Sequence, residues 1–275
     1  MSRQERCACR PDTSETSAET ERLQLQANIL APHSAHLFRL AGITSGMRVL
    51  DVGCGAGDVS MLLAELVGPD GSVIGVDMNP ALLELARART TEARLTNVSY
   101  IEVDLTGLRL DERVDALVGR LILIHLKKPA AAIRALSRLV RTGGVVSFQE
   151  CNLTRVRSVP PTPFATRSLG WALDALRAAG LTPDIGEQTA SLLRDAGLSV
   201  EGAATTGPAG SAESAMPEYM EGCFRSVLPV VLAHGQVTEA EVDIDTVAER
   251  IAHELKEADA MYWGPELAAA WARVP

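Results

Sequence analysis

The sequence predicts an α/β protein built on a parallel sheet, and three observations support this fold class. Short apolar segments of strand type alternate with helical segments along residues 43–153. The turns between them are short and contain glycine. A glycine-rich turn follows the first strand and leads directly into a helix. Such alternation favours right-handed crossovers, which produce a parallel sheet covered by helices on both faces.

The strands and helices of this segment follow in regular order. The predicted strands are Arg48–Val52, Val73–Asp77, Val98–Asp104, Ala116–Gly119 and Val145–Phe148. One helix begins near Met61, a second begins at Asn79–Pro80, and a third covers residues 129–140. The second start is well defined, because a capping side chain precedes a proline at the first helical position.

The residues before the first strand are predicted to be partly helical. Residues 1–17 are polar and are expected to be disordered. In residues 18–42 apolar side chains recur at helical spacing, and a break is expected at Pro32. We therefore expect two N-terminal helices that fold over the glycine-rich turn of the core at residues 43–153.

The pattern changes after residue 153. Residues 154–185 are proline-rich and then helical, which predicts a helical lid inserted into the sheet domain. Residues 186–275 return to the sheet through a helix, a strand near Leu198–Ala204 and a final antiparallel strand at Leu267–Val274. A second helical lid is predicted at about residues 212–260.

The composition limits the class of protein and its partners. A formal net charge of −9 leaves no basic surface for nucleic acid. No apolar run approaches the ~20 residues of a membrane helix, and residues 1–10 lack the apolar core of a signal peptide. The five cysteines form no zinc-like pair and fit reduced thiols. We therefore expect a cytoplasmic protein, monomeric or homodimeric, with the arginine-rich composition of a high-GC bacterium.

The glycine-rich turn is the main functional signal. Gly53, Gly55 and Gly57 alternate with small residues, so a ligand can approach the backbone below the N-terminus of the next helix. The spacing is G-x-G-x-G, and Asp58 occupies the third glycine position of a dinucleotide motif. A carboxylate there is poorly suited to a pyrophosphate. The turn therefore indicates a phosphate-free adenosine ligand, and a sulfonium cofactor fits better than NAD.

Acidic residues at the strands supply candidate ligands. Asp77 ends the second strand, where it can accept two hydrogen bonds from a ribose diol, and Met78 would pack on the purine. Asp104 ends the third strand and can accept from the adenine amino group. Asp51 lies in an apolar strand, needs donors, and is expected to meet the ammonium of a methionine moiety. Arg120 would meet the cofactor's carboxylate, a substrate anion or a surface ion pair.

His125 and Glu150 are the candidate general bases. They follow the fourth and fifth strands, so both are expected at the carboxyl edge of the sheet. A base contributes about 10²–10⁴-fold when the nucleophile is a hydroxyl or an acidic carbon, and little for a free amine. The alternatives are a half-buried helix histidine and a salt bridge from Glu150 to Arg155 or Arg157. No clustered ligand set is apparent, so no metal is expected.

Four motifs, in this order and spacing, resemble the class I S-adenosylmethionine-dependent methyltransferases. They are Val49–Gly57, Val73–Asp77, the corner at Asp104 and Leu139–Val145. The chain is most similar to the bacterial small-molecule group that includes ubiquinone/menaquinone C-methyltransferases and antibiotic-sugar O-methyltransferases. The resemblance covers residues 20–205 in outline. It implies a Rossmann-like, seven-stranded, mostly parallel sheet with helical lid insertions.

The resemblance also implies roles for individual residues. Carried over by position, the glycine loop becomes Gly53, Gly55 and Gly57, the ribose acid Asp77, and the adenine-side acid Asp104 with Leu105. Gln26 and Leu121 complete the expected cofactor contacts. Related sugar methyltransferases are similar in placing a histidine and an acid at the positions of His125 and Glu150. The usual proline of the R-P-G-G turn is Thr142 here, a departure that should be harmless.

These features predict methyl transfer from S-adenosyl-L-methionine to an O, N or C nucleophile of a small, secondary-metabolite substrate, with S-adenosyl-L-homocysteine as product. Aromatic and methionine side chains of the insertions, such as Trp171, Met216 and Phe224, line its pocket or form ordinary helix-packing core. One alternative is a methyltransferase-like enzyme that uses the sulfonium for a rearrangement or cyclisation. A second alternative is a regulator that binds the cofactor without turnover. A third alternative is an NAD dehydrogenase, which Asp58 disfavours.

Overall fold

A computed structural model of the chain describes residues 17–275, with side chains from Arg22 onward. The tail predicted at residues 1–17 thus lies outside the described residues, apart from Ser17. The strands are β1 (Arg48–Val52), β2 (Ser72–Asp77), β3 (Val98–Glu102), β4 (Val114–Arg120), β5 (Val140–Asn152), β6 (Arg157–Val159), β7 (Ser199–Thr206), β8 (Ala209–Gly210), β9 (Met261–Trp263) and β10 (Glu266–Arg273). The α-helices are α1 (Ser17–Leu40), α2 (Asp58–Val67), α3 (Pro80–Glu92), α4 (Pro129–Leu136), α5 (Pro163–Ala178), α6 (Ile185–Asp195), α7 (Met216–His234), α8 (Glu239–Val242) and α9 (Val247–Glu257).

The chain divides into two units, and the larger one contains the predicted sheet. This sheet unit comprises residues 30–150, 185–206 and 267–275. Its seven strands follow the order β3-β2-β1-β4-β5-β10-β7. Strands β1 to β5 pair in parallel, whereas β10 is antiparallel to β7. The predicted fold class and the predicted final antiparallel strand are both confirmed.

Both faces of this sheet are covered, as a parallel sheet requires. Val49 and Leu50 are consecutive in β1 and fully buried, yet they belong to different apolar clusters. Val49 packs in the cluster of Leu63 from α2, and Leu50 packs in the cluster of Ile133 from α4. Because successive strand side chains point to opposite faces, helices on both sides hold the strand ends, and with them the site, in place.

The break predicted at Pro32 is wrong. Helix α1 continues through this residue, which is exposed to solvent. Proline removes one backbone hydrogen bond from a helix, but packing on either side offsets this loss. Leu30, Leu37 and Phe38 are fully buried in the sheet unit and stabilise the helix that carries them.

The prediction of one helix over residues 129–140 is also wrong. Helix α4 ends at Leu136, a 3₁₀ turn follows, and β5 already begins at Val140, where it pairs with Val114. A register shift in this pairing accommodates the two glycines that were expected to form a turn before the strand. Sheet pairing therefore decided the conformation of this segment over its local glycine signal.

The second unit, the insertion unit, comprises residues 17–29, 151–184 and 207–266 of the described chain. Helices α5, α7 and α9 pack against one another in it, and β6, β9 and β8 form a small antiparallel sheet. The two- and three-residue strands were not predicted, because such short segments show no periodicity. Phe164, Met216 and Phe224 are buried in its core. The role of this unit as a lid stays a prediction.

Within residues 17–275, no helix combines the length and the apolar character needed to cross a membrane.

Candidate functional site

The glycine loop between β1 and α2 lies at the carboxyl edge of the sheet. Gly53, Gly55 and Gly57 all have positive φ, at 70°, 53° and 85°. The N–H groups of Gly53 and Cys54 donate to the Val76 carbonyl at 2.8 and 3.0 Å, which ties the loop to β2. This left-handed backbone is one that only glycine adopts at low cost.

The three glycines differ in what surrounds them. A Cβ on Gly53 would lie 2.6 Å from Ile122 Cδ1, and one on Gly57 would lie 2.5 Å from Tyr100 Oη. No atom lies within 4 Å of a Cβ built on Gly55. Gly53 and Gly57 are therefore required by internal packing, whereas Gly55 faces open space in which a ligand can reach the backbone.

Asp77 lies directly beside Gly55. Its Oδ2 accepts the Gly55 N–H at 3.0 Å, and its Oδ1 accepts the Asn79 N–H at 2.9 Å. Each oxygen has a second lone pair, so the carboxylate can also accept from a ligand diol. Met78 is 48% exposed and Ile101, at the end of β3, is 39% exposed. The sequence interpretation missed Ile101, although it is an apolar residue near the end of an exposed edge strand.

Asp51 is buried, and its donor comes from the protein. Ser60 Oγ, on α2, donates to Asp51 Oδ2 at 2.6 Å. Burial is the main cause that raises the pKa of Asp51 to about 7, and the nearby charges of Asp77 and Asp58 contribute to this rise. The Ser60 hydrogen bond and the positive charge of Arg120 act in the opposite direction. Asp51 therefore has a hydrogen-bond donor within the protein and does not need the ammonium of a ligand for this purpose.

Arg120 ends β4 and is joined to α1 by a hydrogen bond. Its Nη1 donates to Ser34 Oγ at 3.1 Å, and Gln149 Nε2 donates to the Ser34 carbonyl at 3.3 Å. Ser34 and Gln149 are completely buried. Sequence reasoning missed both residues, because neither belongs to a motif.

Asp58 forms an ion pair that braces the glycine loop. Arg89 Nη2, on α3, lies 2.6 Å from Asp58 Oδ1, and its Nη1 donates to the Ala56 carbonyl at 2.9 Å. The carboxylate that argued against a pyrophosphate is thus neutralised by a residue that the sequence interpretation did not single out.

The remaining predicted cofactor residues lie in different surroundings. Asp104 is exposed, and its Oδ1 accepts from the N–H and the hydroxyl of Thr106 at 2.8 and 2.7 Å. Leu105 packs on the core cluster of the sheet unit. Leu121 follows β4 with φ 56°. Gln26 belongs to the insertion unit, where its Oε1 accepts from Arg22 Nη1 at 3.3 Å.

The two candidate bases differ in exposure. His125 is exposed at the end of a 3₁₀ turn formed by residues 123–125. Glu150 is 1% exposed, and its Oε1 accepts the N–H groups of Ile122 and Leu123 at 2.8 and 2.6 Å. Burial raises the pKa of Glu150 to about 7, while backbone N–H donors of the turn lower it. The hydrogen bonds of Glu150 thus go to the turn that carries His125.

This raised pKa predicts how stability depends on pH. Folded Glu150 keeps its proton to a higher pH than the unfolded chain does, so its contribution to stability is lost as the pH rises through about 7. We expect the wild type to lose roughly 2–4 kcal/mol of unfolding free energy relative to Glu150→Gln between pH 4.5 and pH 8. Urea unfolding of both proteins at several pH values measures this, and parallel curves would contradict it.

Comparison with known proteins identifies relatives of this region. Residues 43–174, just under half of the chain, match the family model of a methyltransferase domain. The chain is 40% identical over 114 residues to the ubiquinone biosynthesis O-methyltransferase of Alkalilimnicola ehrlichii, covering 40% of this chain and 44% of that protein. It is 31% identical over 126 residues to the aklanonic acid methyltransferase DauC of a Streptomyces species, covering 46% and 57%. The matches thus span about half of each relative.

Solved structures agree with the observed fold. The S-adenosylmethionine-dependent methyltransferase of Aquifex aeolicus is 21% identical, with a TM-score of 0.52, covering 70% of this chain and 92% of that one. The YcgJ protein of Bacillus subtilis is 14% identical, with a TM-score of 0.56, covering 88% and 99%. At these identities the similarity shows the fold alone. Residues 43–174 thus match a methyltransferase domain, and the fold of the chain agrees with that of a solved S-adenosylmethionine-dependent methyltransferase.

Proposed function

We propose that this protein transfers the methyl group of S-adenosylmethionine to an O, N or C nucleophile of a small, secondary-metabolite molecule and releases S-adenosylhomocysteine. The observation that carries the proposal is the open space at Gly55, directly beside the carboxylate of Asp77. A backbone without side chains next to a ribose-binding acid fits an adenosine that has no phosphates. When bound, the sulfonium supplies an electrophilic methyl group.

The residues of the sheet unit divide the cofactor among them. Asp77 accepts from the ribose hydroxyls, Met78 and Ile101 offer apolar surface to the purine, and Asp104 accepts from its amino group. Gly53, Gly57 and Leu105 shape the backbone around this end. At the methionine end of the cofactor, Asp51 is assigned to the ammonium and Arg120 to the carboxylate. Leu121 and Gln26 stay predicted contacts of the cofactor. These assignments follow from the chemistry of the donors and acceptors.

We assign the general base to His125. It is the more exposed of the two candidates, so a small acceptor can reach it. Glu150, the other predicted base, is buried and accepts hydrogen bonds from the backbone. The remaining task of the protein is to hold the nucleophile in line with the methyl group, a contribution of roughly 7–11 kcal/mol in well-oriented reactions.

The names of the relatives support a small-molecule acceptor. Two of them are described as enzymes of ubiquinone biosynthesis and of aklanonic acid methylation. We infer that the insertion unit chooses the acceptor through side chains outside its core, since Phe164, Met216 and Phe224 are buried in that core. A cytoplasmic location and a monomeric or homodimeric state stay predictions.

Titration calorimetry and mass spectrometry test this function. The protein is expected to bind S-adenosylhomocysteine and not NADH. Incubation with S-adenosylmethionine and a panel of phenols, quinols and amines should add one methyl group to an acceptor and release S-adenosylhomocysteine. Binding of NADH in place of S-adenosylhomocysteine would refute the proposal. Binding without turnover would favour a regulator, and a rearranged product of unchanged mass would favour a non-methylating enzyme.

The different surroundings of Gly55 and Gly57 predict different effects of alanine at these two positions. Gly55→Ala places a methyl group in open space but in a left-handed backbone, so we expect the free energy of unfolding to fall by about 1–2 kcal/mol. Because the methyl group would occupy the space of the ligand, S-adenosylhomocysteine should bind at least about tenfold more weakly. Gly57→Ala meets Tyr100, whose hydroxyl is held by Thr90, and should destabilise the fold by about 2–4 kcal/mol. Urea unfolding and calorimetry measure both quantities.

Gly170→Ala is the matched control, because Gly170 lies in α5 with no atom near its added Cβ and no positive φ. It should leave both quantities unchanged or stabilise the helix slightly. Wild-type affinity in Gly55→Ala would show that no ligand approaches the backbone there.

A further inference from the structure

The segment that joins β4 to His125 needs support from outside itself. Leu121 adopts φ 56°, a left-handed backbone conformation that is unfavourable for a residue other than glycine. Residues 123–125 then form a single 3₁₀ turn. One isolated turn fixes several dihedral angles for few hydrogen bonds, so it is unstable alone. Another part of the fold must therefore hold the turn at residues 121–125.

Glu150 supplies this support from the neighbouring strand. Its Oε1 accepts the N–H groups of Ile122 and Leu123 at 2.8 and 2.6 Å. The first N–H groups of a helical turn have no partner within the turn. An oxygen of a side-chain carboxyl group can accept hydrogen bonds from such groups whether that carboxyl group is protonated or ionised. Glu150 thus caps the turn although it lies 28 residues from Ile122.

The same turn contacts the glycine loop. Ile122 packs so closely on Gly53 and Gly119 that an added Cβ would lie 2.6 Å and 2.8 Å from its side chain. Leu123 is 1% exposed and belongs to the core cluster of the sheet unit. A change in the position of the turn would therefore disturb the loop on one side and His125 on the other.

We propose that Glu150 is a positioning residue, whose carboxylate holds the turn at residues 121–125 so that Leu121 meets the cofactor and His125 meets the acceptor. The proposal rests on the proposed function, which assigns Leu121 and His125 their roles. It differs from the role of general base that the sequence suggests for Glu150. A base that acts only during methyl transfer has no effect on S-adenosylhomocysteine affinity or on the exchange of backbone amides.

Two measurements on the full-length protein distinguish these roles. In Glu150→Ala, the amides of Ile122 and Leu123 are expected to exchange at least about tenfold faster in the cofactor-free protein. The Kd for S-adenosylhomocysteine should rise about tenfold, because Ile122 would no longer be held in its position against the glycine loop. Glu150→Gln keeps a carbonyl oxygen that accepts both N–H groups, so both quantities should stay within about threefold of the wild type.

Glu150→Asp covers the case in which the alanine variant does not fold. Its carboxylate remains but is one methylene too short to reach the turn, so it should behave like alanine. Glu254→Ala is the control, because Glu254 also accepts a backbone N–H, that of Phe164 at the start of α5, but in the insertion unit. It should lower the Tm and leave both measurements unchanged.

Wild-type amide exchange in Glu150→Asp, or exchange that is as fast in Glu150→Gln as in Glu150→Asp, would overturn the proposal. If the wild type did not bind S-adenosylhomocysteine, the proposed function would fail, and the exchange rates would still decide whether Glu150 holds the turn.

Discussion

Asp77→Ala is expected to weaken S-adenosylhomocysteine binding by about 10²–10⁴-fold, because two hydrogen bonds to a charged acceptor are worth roughly 1.5–3 kcal/mol each. The carboxylate also fixes the Gly55 N–H at 3.0 Å and the Asn79 N–H at 2.9 Å. Its loss therefore removes the acceptor for the ribose hydroxyls and also the hydrogen bond that holds the glycine loop beside it. Calorimetric titration measures the affinity, and thermal unfolding shows whether the variant is folded.

Asp70→Ala is the matched control for this experiment. Asp70 is an exposed acid in the turn between α2 and β2, so its replacement changes the net charge equally without touching the loop. It should bind S-adenosylhomocysteine as the wild type does. A folded Asp77→Ala protein with wild-type affinity would show that the ribose is not placed at the end of β2.

His125→Ala is expected to lower kcat by about 10²–10⁴-fold with an acceptor that reacts through a hydroxyl or an acidic carbon. The affinity for S-adenosylhomocysteine should not change, because the imidazole acts on the acceptor. Steady-state kinetics with the acceptor identified by mass spectrometry measures the effect. An amine acceptor, which needs no base, should show little change.

His253→Ala serves as the comparison, since His253 is an exposed histidine on α9. Its kcat should equal that of the wild type. A His125→Ala protein that methylates a hydroxyl acceptor within about threefold of the wild-type rate would remove His125 from the role of general base.

Local patterns explain why much of the fold could be predicted. The glycine loop was found because it needs special backbone angles, which only a few residue types supply. The start of α3 was found because Asn79 caps it, and its Oδ1 accepts the N–H groups of Ala81 and Leu82 at 3.1 and 3.4 Å. In both cases the residues that make the structure are adjacent in sequence.

The contacts that complete the site could not be predicted in this way. Arg89 lies 31 residues from Asp58, and Glu150 lies 28 residues from Ile122. Which side chains meet over such separations depends on the crossover between strands and on the register of the sheet. No pattern in the chain marks Arg89 as the partner of the loop.

The sequence by itself determined the alternating α/β core, the glycine-rich turn after its first strand and the acids at the strand ends. These features follow from periodicity and backbone sterics within a few residues. Only the tertiary structure decided that α1 continues through Pro32 and that β5 begins at Val140. It also decided that Glu150 bonds to the turn before His125. The physical reason is that burial and strand pairing bring distant residues together. The stabilisation that they provide exceeds the conformational preferences of single residues such as Pro32.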